Sequence, residues 1–547
     1  MRYTIAALTA SVAPIALVPS LAQDYSHVPA VEVTQGILLE DRATPVEEPP
    51  VRIGNFETAN TLPTGTFVLN IGTVQTDPTE GNGTGNQMYH GGIYYSPRNN
   101  LTYGLDYQTY EDPPVNPING NYPAIGVDTV AGFVKYRYLD NGRLSGAVQG
   151  SVEFFRFDSN LFPGDGDGEI VGSVKAPFSY SFSPQLQVHL TPGVSVFPDE
   201  LGGNDFYGIV PYVGAGVSYQ ATQRLAFYAS VDMPFGSGGN TITDTAAIDN
   251  VPVWTAGTRW AVTPKAALDL YLTNGVGITP ATSILTHWPD GDEPLFGVRL
   301  TYTPGAEYRP TYRGPIAPLT ERQANLQKNG FTLLSADVIE PGSFLAGAWG
   351  GTDENYGGVL RFSPDRDGEI VAVIEQYADD GTADPALVPS DGARYMLGLK
   401  LRFLDQNNGD PLSLSMTGLF GRQIDGDTPG VGAAYVDASA SYKFNDTLTV
   451  TASPKLGAFG DVEIYGLGLG VNYELFDGLE LIAEATPVGG DGEDTTWAAG
   501  MRYTVPGSSL SVDLNASNAI GRYGIGTLIA QDSTRYSLGI STQFNLR

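Results

Sequence analysis

The sequence predicts an all-β protein made of two tandem antiparallel transmembrane β-barrels of about twelve strands each, related by an internal duplication. Three observations predict it. First, Val134-Lys135-Tyr136-Arg137-Tyr138-Leu139-Asp140 alternates large apolar residues with Lys and Arg, and returns as Leu399-Lys400-Leu401-Arg402-Phe403-Leu404-Asp405 in the second half. A period of two makes a strand with one oily face and one charged face, which suits lipid outside and a lumen inside. Second, long and short connections alternate between the strands, the pattern of long outer loops and tight periplasmic turns. Third, an export-type leader precedes the first strand. The alternative architecture is a single barrel of about 24 strands, with the connector between the halves folded inside as a plug.

Residues 1–22 read as a signal peptide: a charged start at Arg2, an apolar run from Ile5 to Val18, and small residues ending at Ala22. No later window is apolar enough for a transmembrane helix. The 547 residues contain no cysteine, so an exported chain of this length gains nothing from disulfides and must bury a core or close its strands. A net charge of −31 excludes nucleic acid as a partner. Residues 23–62 carry Pro and Glu without periodicity and form a periplasmic extension or a plug.

Residues 63–305 form the first barrel. Long polar connections such as Asp112 to Gly126 and Ile278 to Pro294 alternate with short ones such as Ser96-Pro97-Arg98-Asn99 and Thr263-Pro264. Residues 306–341 form a connector, in which Thr320-Glu321-Arg322-Gln323 is a capping box and predicts a short helix from Glu321 to Asn329. Residues 342–547 form the second barrel, and five patterns recur there in order. Besides the opening stretch, Tyr95-Ser96-Pro97 returns as Phe362-Ser363-Pro364, and Gly216-Val217-Ser218-Tyr219 as Gly470-Val471-Asn472-Tyr473. Trp254 to Trp260 returns as Trp497 to Tyr503, and Asp269-Leu270 with Thr273-Asn274 as Asp513-Leu514 with Ser517-Asn518. The strand Tyr465 to Leu475 puts its large residues on one face and Gly466, Gly468 and Gly470 on the other, leaving room in a lumen for water, a ligand or an inserted segment.

From these features residues 64 to 547 resemble Gram-negative outer-membrane β-barrels of the porin-like kind. Gly83-Thr84-Gly85-Asn86-Gln87 and Leu272-Thr273-Asn274-Gly275 also look like patterns in uncharacterised cyanobacterial outer-membrane proteins, a likeness that brings no function with it. The resemblance implies residence in the outer membrane of a Gram-negative-type bacterium, in contact with lipid and lipopolysaccharide.

Alternation places Lys135, Arg137, Glu153, Arg259, Asp269, Arg299, Lys400, Arg402, Arg502 and Asp513 on the lumen side. Charges there are tolerated only when paired or wet, and they serve either as a lining that selects solutes or as a static network bracing the barrel. Arg259 is expected to pair with Asp269, and Arg502 with Asp513, across their hairpins. Tyr94, Tyr103, Tyr107, Tyr136, Tyr138, Trp254, Trp260, Trp497 and Tyr503 are expected on the oily face as interfacial girdles. Asp165, Asp167 and Glu169 space carboxylates along a glycine-rich loop and are candidate calcium ligands, with an ordinary solvated turn as the competing reading. No other cofactor is expected. His189 has no serine at a compelling spacing and no nucleotide-binding or HExxH motif is present, so an enzyme is not expected.

The function these features predict is an outer-membrane channel for passive or gated passage of small polar solutes. The alternatives are a structural or surface-adhesion protein with filled barrels, or a component of polysaccharide secretion with a periplasmic partner.

Overall fold

The computed structural model of the chain describes residues 51–545, apart from 76–87, 112, 113, 115, 163–167, 223, 264, 305–328, 385, 386, 389–391, 409, 425–431, 446, 460, 461 and 493. The leader, the Pro-rich stretch before residue 51, and all of the expected helix except Asn329 lie outside the described residues.

Twelve strands form the first sheet: β1 Phe67–Gln75, β2 Met88–Arg98, β3 Leu101–Glu111, β4 Ile125–Asp140, β5 Leu144–Ser159, β6 Glu169–Lys175 resuming at Phe178–Ser181, β7 Leu186–Val196, β8 Ile209–Gln220, β9 Leu225–Pro234, β10 Val253–Thr263, β11 Ala266–Thr273 and β12 Leu295–Tyr302. Each pairs antiparallel with its neighbour in sequence, and β12 returns to pair with β1, Leu300 opposite Ile71. The second sheet holds β13 Ser343–Gly351, β14 Tyr356–Asp365, β15 Gly368–Gln376, β16 Arg394–Leu404, β17 Ser413–Gln423, β18 Ala433–Lys443, β19 Leu448–Phe459, β20 Val462–Phe476, β21 Leu479–Thr486 resuming at Val488–Gly490, β22 Thr496–Thr504, β23 Ser511–Ala519 and β24 Ala530–Asn545. It closes in the same way, with Phe344 of β13 opposite Phe544 of β24. The protein is therefore two closed twelve-stranded barrels and not one wide ring. β6 and β21 break at Pro177 and Pro487, whose missing N–H cannot continue the ladder.

All five sequence echoes fall on corresponding strands: β4 with β16, β2 with β14, β8 with β20, β10 with β22 and β11 with β23. Polar residues point inward and are buried, whereas large apolar residues point outward and are exposed: Val152 is 67% exposed, Ile170 69% and Leu469 49%. So much exposed apolar surface is incompatible with water and suited to lipid, and closure leaves no strand edge unpaired. These are barrels of the outer-membrane type. Tyr94 departs from the expected girdle. Its ring points into the lumen and its hydroxyl donates to Asp106 (2.8 Å), while Ile93 and Tyr95 face outward. The pair Tyr94-Tyr95 reads as oily in either phase, so alternation alone could not fix which ring goes in.

The two barrels pack flank to flank. Leu69, Ala266 and Tyr302 of the first form a buried cluster with Leu399 and Leu401 of the second. The oily face of the opening stretch's second copy thus meets the other barrel. At the short-turn end Lys265 lies 2.8 Å from Asp365 and 2.7 Å from Asp367. Toward the long-loop end Tyr89 stacks on Phe420 with ring centres 5.1 Å apart, and the Arg422 guanidinium lies over the Tyr89 ring.

Candidate functional site: two stoppered lumens

Each barrel is filled by the chain segment that leads into its first strand. In the first barrel residues 51–62 are all buried, with Arg52–Ile53 and Phe56–Glu57 forming a minimal hairpin about Gly54-Asn55. Gly54 adopts a positive φ of 59° and Arg299 donates to its carbonyl (2.9 Å). Lys135, fully buried, donates to the carbonyls of Val51 (3.0 Å) and Thr58 (3.2 Å) and lies 2.6 Å from the Glu57 carboxylate. Arg52 pairs with Glu57 and stands 3.0 Å from Asp106.

In the second barrel residues 329–339 take the same place. Lys400, the counterpart of Lys135, donates to the Asp337 carbonyl (2.5 Å), and Lys443 pairs with the Asp337 carboxylate at 2.8 Å. Lys455 donates to the Thr332 carbonyl (2.8 Å) and Arg502 to the Asn329 carbonyl (2.6 Å). Glu484 accepts the backbone N–H of Phe331 (2.9 Å) and Thr332 (2.7 Å). The glycine face of β20 is what admits this segment: a Cβ at Gly468 or Gly470 would run into Leu333. On β8, Gly214 and Gly216 make the same room for Phe56.

The exits from the two lumens match position for position. Leu62 donates its N–H to the Thr102 hydroxyl (3.2 Å), and Ile339 to the Glu369 carboxylate (2.6 Å), which Arg361 grips with two nitrogens at 2.7 Å. Gly65 then donates to the Ser96 carbonyl and Gly342 to the Ser363 carbonyl, at the two recurring Ser-Pro turns. The duplicated unit therefore includes the inserted segment along with the barrel.

A second stopper enters from the opposite end. The connections after β11 and β23 turn inward, at residues 274–294 and 520–529, through the short 3-10 turns Thr282–Ile284 and Gly524–Thr527. The Thr-Asn and Ser-Asn echoes set their start: Trp254 N–H donates to Asn274 (2.8 Å), Trp497 N–H to Asn518 (2.7 Å). Thr273 and Ser517 each donate to the carbonyl of that tryptophan at 2.7 Å. One residue on the third strand of each barrel then catches the loop. Gln108 accepts from Ile278 N–H (2.7 Å) and the Thr282 hydroxyl (3.0 Å); Glu375 accepts from Arg522 N–H (2.7 Å) and Tyr523 N–H (3.2 Å). The two stoppers meet in the first barrel, where Asn55 donates to the Gly277 carbonyl (2.8 Å). His287, in the first of these loops, is fully buried, and burial pushes its pKa down to about 4.

Of the residues read as lumen-lining, Lys135, Arg299, Lys400 and Arg502 touch the inserted segments, as above. Glu153 accepts from the inward loop, at Thr279 and at Ala281 N–H (both 2.5 Å). Arg259 lies 2.8 Å from Asp269, which also faces Arg299 at 3.5 Å. Asp513 takes a different partner from the one expected. Its counter-ion is Arg522 of the inward loop (2.8 Å), while Arg502 turns to the inserted carbonyls and to Glu480 at 3.6 Å. The hairpin register does put Arg502 opposite Asp513, but a folded-in loop brought a closer cation. Arg137 and Arg402 point inward yet sit at the short-turn rim, where they donate to the carbonyls of Asn99 and Arg366 and pair with Asp140 and Asp405.

Asp165 and Asp167 lie outside the described residues, and Glu169 is exposed at the start of β6. Among the described residues no cluster of three metal-ligating side chains forms. His189 does have serines at hand: Ser179 Oγ is 2.7 Å from Nδ1 and Ser218 Oγ 3.1 Å from Nε2. Ser179 also accepts the N–H of Ala59, so this histidine helps hold the inserted segment. Sequence reasoning missed Arg52 and Glu57 because it took residues 23–62 as aperiodic, and Asp337 because it took residues 306–341 as a connector; Glu484, on β21, was not singled out among the lumen-facing charges. The signal available was the shared Gly-Thr-Phe and Gly-Ser-Phe at residues 65–67 and 342–344.

No protein-family model and no curated protein matches the chain. Among solved structures it is similar to the KdgM porin (7% identity, 43% of this chain and 98% of that one, TM-score 0.28) and to the NanC porin (9%, 43% and 98%, 0.29). It is also similar to the siderophore receptor PirA from Pseudomonas aeruginosa (8%, 88% and 81%, 0.23). Likenesses at this level carry no function with them. The patterns compared above with cyanobacterial outer-membrane proteins gain no support: Gly83 to Gln87 lies outside the described residues, and Leu272 to Gly275 is where β11 turns into the lumen.

Proposed function

We propose that the protein is an outer-membrane channel for small polar solutes whose two lumens are closed at rest, each by its own inserted segment and inward connection, and open when both leave the lumen. The observation that carries this reading is how the segments are held. Wall cations reach their backbone carbonyls: Lys135 at Val51 and Thr58, Lys400 at Asp337, Lys455 at Thr332 and Arg502 at Asn329. Donors of this kind bind water or a polar solute equally well once the segment is gone, so a stopper can be exchanged for cargo without stranding a buried charge. On this reading the short turns and inserted segments face the periplasm and the inward loops face outside.

Planar-bilayer recording tests it. Wild-type protein should be silent or flicker rarely, and deletion of residues 51–62 together with a shortened 274–294 connection, or of residues 329–339 together with a shortened 520–529 connection, should give steady conductance. A structural barrel is the second reading, favoured by the direct contact of the two stoppers at Asn55 and Gly277. It requires silence from the wild type and from both deletions, provided each deletion still inserts as a folded barrel.

A further inference from the structure

Aligned backwards from the paired exits Leu62 and Ile339, residues 52–62 and 329–339 share one residue in eleven, Ala59 with Ala336. The walls nonetheless meet the two main chains at equivalent places. The Glu57 carbonyl accepts from the Thr191 hydroxyl (2.9 Å), and the aligned Leu334 carbonyl from the Ser439 hydroxyl (2.5 Å). The N–H of Ala59 donates to the Ser179 hydroxyl and that of Ala336 to the Ser441 hydroxyl, both at 2.9 Å. The exits add the N–H of Leu62, to Thr102, and of Ile339, to Glu369. Side-chain contacts are not kept in this way: the Glu57 carboxylate meets Lys135, whereas Leu334 has no charge to offer. Residues 58–62 and 333–339 form neither helix nor strand, and these wall groups stand in for the partners a ladder would supply.

Three positions in each segment do share a character. Phe56 lies against Gly214 and Gly216, and Leu333 against Gly468 and Gly470. Ala59 and Ala336 are wholly buried, and Leu62 and Ile339 nearly so. The common pattern is apolar, small, apolar at three-residue spacing. A lumen that holds two different sequences by the same main-chain contacts, with pockets at a few spaced positions, reads a stretch of polypeptide rather than one sequence.

We propose that the solute admitted by each lumen is a short peptide, long enough to span residues 56–62 or 333–339, which takes the place of the stopper. Its main chain lies on these hydroxyl and carboxyl groups, with a small residue where Ala59 or Ala336 stands and an apolar residue three places to either side. This names the solute class of the channel reading and rests on it, since the stopper must leave first.

The test uses the full-length chain lacking residues 329–339, purified in detergent, and three fluorescently labelled synthetic peptides. One copies residues 329–339; one keeps only its Leu333, Ala336 and Ile339 and has different side chains elsewhere; one carries Ala336→Tyr in the copy. Read by anisotropy, the first two should bind within about threefold of each other, and the third at least about tenfold more weakly. The intact chain, its lumen occupied, should also bind the copy at least about tenfold more weakly. In the intact chain carrying Ser335→Cys, the second peptide should raise the rate of maleimide labelling to a plateau by holding the stopper out. A folded deletion variant that binds the copy but not the second peptide recognises only its own stopper and overturns the proposal, as does one that binds no peptide. A Ser335→Cys site labelled at a rate that peptide does not change overturns it too, and leaves the channel reading standing. A site that is never labelled shows that the stopper does not leave, and refutes both.

Discussion

Replacing Lys135 by methionine should release the first stopper. The side chain is fully buried, and its ammonium pairs with the Glu57 carboxylate (2.6 Å) and donates to the carbonyls of Val51 (3.0 Å) and Thr58 (3.2 Å). Methionine keeps the length and the apolar stem but strands those acceptors. Breaking one side of a buried ion pair costs about 3–5 kcal/mol, and the lower end applies because Glu57 keeps Arg52. At about 1.4 kcal/mol per decade, ~3 kcal/mol raises the population with the segment out by about a hundredfold. The chain contains no cysteine, so Thr58→Cys gives a single reporter at a position that is fully buried when the stopper is in. Its labelling by a membrane-impermeant maleimide should be about a hundred times faster with Lys135→Met than without. A Ser335→Cys reporter in the second barrel should not respond. An unchanged Thr58→Cys rate in a correctly folded variant would refute the claim that Lys135 holds the segment, and with it the proposed exchange of stopper for solute.

The other expected outcomes concern the loop catch, the glycine face and acid. Gln108→Leu strands the N–H of Ile278 and the Thr282 hydroxyl, so proteolysis within residues 274–294 should accelerate by one to two decades, at about 1–3 kcal/mol for the unmet donors; unchanged cleavage would show that the catch is dispensable. Gly468→Val intrudes on Leu333, and overpacking of about 1–3 kcal/mol should expel the second segment, read as about ten- to hundredfold faster labelling of Ser335→Cys. For His287 the folded pKa of about 4 lies below the unfolded value of about 6.5, so the opened loop binds the proton that the closed loop refuses. Closure is therefore at full strength above pH ~6.5 and loses up to ~3 kcal/mol as pH falls to ~4, which His287→Phe should abolish; hydrogen exchange of the loop amides at pH 7 and pH 5, corrected for intrinsic rates, is the measurement.

The strands were legible because a barrel wall obeys one rule with period two, and the rule recurs often enough to average out ambiguous residues. Val134 to Tyr138 and Leu399 to Phe403 carry it on the fourth strand of each barrel, up to register shifts at Arg137/Leu139 and Arg402/Leu404. Tyr94-Tyr95 shows where it stops: two adjacent aromatics satisfy either phase, and the ring that turns in is the one that meets Arg52 and Asp106, partners distant in sequence. The inward direction of Lys135, Arg299 and Lys400 could be read from alternation, but not what they face. Their partners are backbone carbonyls of the lead-in segments, and a carbonyl has no signature in sequence. Asp513 was misassigned for a related reason, since hairpin register puts Arg502 opposite it but says nothing of a loop that folds back to offer Arg522.

What the duplication kept is therefore geometric address rather than side-chain identity. The residue that receives the N–H of Leu62 is Thr102, and its counterpart for Ile339 is Glu369. The catch on the inward loop is an amide in one barrel, Gln108, and a carboxyl in the other, Glu375. Any acceptor at those two places satisfies the same backbone donors, so each was free to change while the stopper stayed. The exchange still has consequences. A neutral acceptor makes the same hydrogen bonds at any pH, so acid reaches the first loop through His287 rather than through this catch, whereas a carboxyl needs its charge to hold as tightly. The two lumens thus share the construction of their closures but differ in the chemistry that fastens them.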